Sequence, residues 1–129
     1  MGRDAVQIST GLRARMIEPR LASHMRVGAL SRLASSFGDS FMVLRRGNEI
    51  AGAILLTTAV RGINTNIFEY VTDFDGVGKW REIRLDSQVT QSNIDSYCTK
   101  RSDRDPDIWL IELNVAQDER LALYLDNND

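Results

Sequence analysis

The stretch Ile108-Trp109-Leu110-Ile111-Glu112-Leu113 constrains the fold more than any other part of the chain. It is short, it follows the extended Asp105-Pro106 step, and it is apolar at both parities apart from Glu112. A strand in that pattern has no face left for water, so it reads as the inner strand of a sheet covered on both sides. Such a strand needs neighbours on both edges, and the rest of the chain must supply them.

Helical and strand periodicities supply them in a definite order. Val27, Leu30, Leu33, Ala34 and Phe37 recur at three- and four-residue spacing and predict a helix over 23–37. Ser23 is read as its N-cap and Gly38 as its left-handed stop, with Arg26 and Arg32 off the apolar face. Phe41 to Arg46 and Ala51 to Thr58 read as strands joined by a turn that begins at Gly47-Asn48. Asn66–Asp73 and Lys79–Leu85 read as an exposed hairpin around Asp75-Gly76, with Phe68 and Tyr70 on one face and Ile67, Glu69 and Val71 on the other. A second helix over 90–101 buries Ile94, Tyr97 and Cys98, with Thr90 and Asn93 resembling a weak cap at its start. Leu121 to Leu125 reads as a last strand that pairs back on the inner one.

Strands joined by short turns predict an α+β fold: a single antiparallel sheet of five or six strands with two helices packed mainly on one face. Residues 20–125 read as one domain. Residues 1–19 read as a flexible extension with a short Ile8, Leu12, Met16, Ile17 stripe, and 126–129 as a frayed tail.

Charge and composition exclude several classes. No apolar run approaches the roughly 20 residues of a membrane helix, so no membrane partner is expected. The lone Cys98 fits a reducing, cytoplasmic setting. Residues 1–64 carry nine Arg and four acids, 9 − 4 = +5, and residues 65–129 carry seven bases and fourteen acids, 7 − 14 = −7. Either the halves pair on folding, or the Arg-rich half faces nucleic acid.

The segment Phe41 to Leu56, FMVLRRGNEIAGAILL, resembles the signature of a bacterial group, domain-of-unknown-function family fourteen ninety-one. Its further elements are an Asp-Gly hairpin leading to a Trp, here Asp75-Gly76 and Trp80, and an Asp-Pro-Asp-aliphatic-Trp motif with a following Glu, here Asp105 to Trp109 and Glu112. The resemblance spans about residues 20 to 125. It departs at Asn48-Glu49, where the family usually has an acidic residue and a Pro. It implies a small cytosolic bacterial domain and carries no catalytic residue with it.

Reactive constellations are sparse. One His24 and one Cys98 do not make a zinc site, and neither a nucleophile elbow nor a phosphate loop is present, so no cofactor and no metal are expected. Asp105 and Asp107 share a side of an extended segment, with Glu112 on the other; they serve either a solvated turn or a carboxylate site. Arg45 and Arg46 point to opposite faces of their strand. The inward one is expected to bridge Glu112, since a buried unpaired charge is costly; otherwise it is free for an anion. Arg45, Arg46, Trp80, Asp105, Asp107, Trp109 and Glu112 are therefore the candidate binding residues. The expected class is a non-enzymatic binding or protein-interaction module that engages a protein partner or a second copy as a homodimer. The alternatives are nucleotide, phosphate or nucleic-acid binding through the Arg-rich half, and a small carboxylate-dependent enzyme.

Overall fold

The computed structural model describes residues 21–126 apart from Asp73. The reading of 1–19 as an extension lies outside those residues, as do 127–129 of the 126–129 tail; Asp126 itself ends the last helix. In chain order the elements are α1 (Ser23–Phe37), β1 (Ser40–Arg45), β2 (Ile54–Val60), β3 (Ile63–Thr72), β4 (Gly78–Ile83), α2 (Gln91–Arg104), β5 (Trp109–Val115) and α3 (Arg120–Asp126). The strands form one sheet of order β1-β5-β2-β3-β4. β5 is an inner strand, as its two-sided apolar pattern requires.

The sheet is mixed rather than antiparallel. β5 runs antiparallel to β1 but parallel to β2, with Ile54 opposite Trp109 and Val60 opposite Val115. Short-turn reasoning could not show this, because β5 enters between two strands that are consecutive in the chain. The route from β2 to β5 passes through β3, β4 and α2, the long crossover that a parallel pair needs.

The helices cover both faces rather than mainly one. α1 and α3 lie on the first face, where Val27, Leu30, Ala34, Leu121 and Tyr124 pack against Ile54, Leu56, Trp109, Ile111, Leu113 and Val115. α2 covers part of the second, with Ile94 and Cys98 against Leu55, Ile67 and Ile108. α3 replaces the expected last strand. Leu121 and Tyr124, three residues apart, are buried while Leu123 is half exposed, which is a helical spacing that a five-residue run does not reveal.

Local chemistry sets the element ends. Gly38 adopts φ 77°; its N–H donates to the Ser35 carbonyl and that of Asp39 to the Ala34 carbonyl. Ala22, not Ser23, is the α1 N-cap; the Ser23 hydroxyl instead donates to the Gly52 carbonyl at 2.6 Å. Thr90 caps α2 as its position suggests, accepting from Asn93 N–H. Arg61 (φ 49°) and Gly62 (φ 81°) make a two-residue left-handed turn, so β3 starts earlier than alternation alone indicates. Among the described residues no helix is long and apolar enough to cross a membrane.

Candidate functional site

The β1–β2 connection crosses the entry of β5, and most of the candidate residues gather there. Gly47 and Gly52 lie against the Asp107 carbonyl, where a β-carbon on either would overlap backbone. Asn48 ties the crossing together. Its N–H donates to the Asp107 carbonyl at 2.9 Å, its side-chain oxygen accepts from Ile50 and Ala51 N–H, and its carbonyl accepts the Trp109 indole N–H at 2.7 Å. Ser23 and His24 N–H donate to the Ile50 and Glu49 carbonyls and hold α1 on the same turn.

Arg45, the last residue of β1, and Arg46, just beyond it, go to different partners, and neither meets Glu112. A bulge at Leu44 places Arg45 opposite Leu110. Its guanidinium donates to the Pro106 carbonyl at 3.0 Å, with Nε buried and unpartnered. Arg46 lies over the Trp109 ring at 5.2 Å and stands 4.0 Å from Glu49. Glu112, between Met42 and Thr57 across the sheet, makes no ion pair with either arginine. The expected Arg–Glu bridge is therefore absent, because the extra residue in β1 turns Arg45 toward the Pro106 loop. Asp105 ends α2 and its carboxylate accepts from Asp107 N–H at 3.1 Å, while Asp107 itself is exposed. Trp109 is a core residue.

Trp80 lies apart from this junction. It meets Tyr70 edge-on at 5.2 Å, and Arg26 caps the Tyr70 ring at 3.8 Å. Both aromatics are half-buried against the first core rather than exposed on the hairpin. Arg26, read as a solvent residue, is buried.

Two polar clusters escaped the sequence reading. On β3, Glu69 receives both guanidinium nitrogens of Arg101, at 3.1 and 2.9 Å, and Tyr97 and Arg81 extend the group. The signal was available: Glu69 shares the inward face of Ile67, on which α2 sits. At the other end, Asp39 accepts the Tyr124 hydroxyl at 2.6 Å and stands 3.2 Å from Arg120 Nε. Nothing local in the sequence links residues so far apart.

Chemically, these groups hold structure. Burial first, then Asp95, pushes the Cys98 thiol up to about 11, which makes it a poor nucleophile. Among the described residues no three His, Cys, Asp or Glu side chains are grouped to hold a metal ion.

What remains open is the outer edge of β1. Among the described residues β1 pairs with β5 alone, and Met42, Val43 and Leu44 are 54%, 38% and 52% exposed. The opposite edge strand, β4, carries exposed Lys79 and Arg81. Charged residues of that kind discourage foreign strands, and β1 has none before Arg45.

Solved structures resemble this chain over most of its length. A crystal structure of a DUF1491 family protein from Caulobacter crescentus CB15 is 30% identical, with a TM-score of 0.65 over 74% of this chain and 88% of that one. An NMR structure of a DUF1491 family protein from the same organism is 31% identical, with a TM-score of 0.65 over 75% and 87%. The solution structure of protein Atu0922 from A. tumefaciens, 22% identical, shares the fold at a TM-score of 0.65 over 83% and 93%. No curated protein matches. The model of the protein family of unknown function DUF1491 matches residues 21–123, and the chain belongs to that family.

Proposed function

We propose that the chain is a non-enzymatic protein-interaction module that works in the cytoplasm, its partner adding a strand along β1. The observation that carries this is the unguarded edge: three consecutive exposed apolar side chains on a strand with one neighbour. Main-chain groups along such an edge supply affinity and the alternating side chains supply selectivity. The geometry favours a protein partner over nucleic acid, because Arg26, Arg45 and Arg61 are engaged with Tyr70, Pro106 and Ala116. The test is selection of a random displayed peptide library against the chain, with backbone amide shifts of bound peptides mapped by NMR. Extended peptides that perturb residues 40–45 of the monomeric chain support the reading; peptides that bind the monomer only elsewhere, or none, refute it.

A further inference from the structure

We propose that the strand added to β1 is the β1 of a second copy, the two running antiparallel across a two-fold axis to make one ten-stranded sheet. This rests on the reading of β1 as a pairing edge and names the partner. An antiparallel pair of identical strands is self-complementary by symmetry, so one patch serves both copies. The run Ser40-Phe41-Met42-Val43-Leu44 is centred on Met42 and carries no charge.

With the axis on Met42, residues i and j face each other when i + j = 84. Met42 then meets its own copy, Phe41 meets Val43 and Ser40 meets Leu44. This register also preserves the faces, since directly opposed residues must project to the same side. Phe41 already packs on the first core, and Val43 shares its parity. Met42 lies on the other face with Glu112, its partner in β5. The bulge at Leu44 closes the pairing window, and Arg45 follows it, so the regular ladder ends there. The β4 edge behaves oppositely. Centred on Trp80, it would set Lys79 against Arg81 of the copy, and like charges directly opposed repel. One edge thus resists self-pairing and the other permits it.

The test is sedimentation equilibrium of the full chain over a wide concentration range. The expected mass approaches twice 14.5 kDa. Met42→Lys places two ammonium groups across the axis and should return the mass to one chain with the denaturation midpoint of the monomer unchanged, since Met42 is exposed. In a Cys98→Ala background, Met42→Cys should form a disulfide-linked pair on mild oxidation, and Leu44→Cys should not. A single-chain mass at every concentration overturns the proposal, as does a dimer that survives Met42→Lys. A monomer whose β1 still takes up library peptides refutes only the second copy; one that takes up none sinks the edge reading as well.

Discussion

Tyr124→Phe removes one oxygen from a site with no solvent access. Tyr124 is 0% exposed and the Asp39 side chain 1%. Phe keeps the ring, its burial and its edge contact with Phe37 at 5.8 Å, so the change in stability isolates the hydroxyl. The hydrogen bond is short, 2.6 Å, and ends on a carboxylate, a class that contributes about 1.5–3 kcal/mol. Arg120 stands 3.2 Å from the same oxygen, yet its Nε is not aligned as a hydrogen-bond donor. Asp39 therefore loses its one well-formed bond, which places the expected cost toward the upper end, about 2–3 kcal/mol. For a chain of this size that lowers Tm by about 8–12 °C. Urea unfolding followed through tryptophan fluorescence measures it, with Trp109 buried as the reporter. In a double-mutant cycle with Asp39→Ala, most of the Tyr124 effect should vanish. A cost below about 0.5 kcal/mol, the scale of an ordinary surface change, would refute the reasoning.

Three further outcomes are expected. Glu69→Gln weakens the two-pronged grip on Arg101 and should cost about 1–2 kcal/mol, with α2 amides near Ile94 and Cys98 exchanging faster by hydrogen–deuterium exchange. Gly52→Ala drives a methyl into the Asp107 carbonyl and the Asn48 backbone and should cost about 1–3 kcal/mol in chemical denaturation. The Cys98 thiol is raised from 9.0 to about 11 in the fold, so the folded chain keeps a proton that the unfolded chain releases; its contribution is full below pH 9 and is lost as pH rises through 11, and Cys98→Ala should flatten that part of the stability–pH curve.

Periodicity made some parts of this structure legible and left others hidden. The helix over 23–37, the left-handed Gly38, the Thr90 cap and the inner position of β5 are local signals, and each was readable from a few adjacent residues. The parallel β2–β5 pair was not, because it depends on which strand slips between which, a choice made by non-local packing. α3 was misread because five residues fit both periods. The expectation that the inward one of Arg45 and Arg46 bridges Glu112 assumed a regular ladder, and the single extra residue at Leu44 cancelled it. The Asp39–Tyr124 bond spans 85 positions, a distance over which no sequence window sees, whereas the Glu69–Arg101 clamp, spanning 32, left one local sign in the face that Glu69 shares with Ile67.

Two of the motifs that carry the family resemblance, the Gly47–Gly52 connection and the Asp105–Trp109 run, converge on one junction, and the residues they bring there have structural tasks; Trp80 lies apart from it. Gly47 and Gly52 admit the Asp107 carbonyl, Pro106 offers its carbonyl to Arg45, and Trp109 fills the first core while its indole N–H closes onto Asn48. Together they seat the β1–β2 connection across the mouth of β5, which is what allows β5 to lie between two consecutive strands. A motif that specifies the topology need not touch a ligand, so resemblance in these residues predicts a shared fold and leaves the binding surface to be found elsewhere. Met42 and Gly52 separate the two roles. Gly52→Ala should lower the monomer's stability and leave the folded fraction's association unchanged, whereas Met42→Lys should abolish association and leave the monomer's own stability unchanged. If both substitutions moved both quantities, the division between a fold-setting junction and an open pairing edge would be wrong.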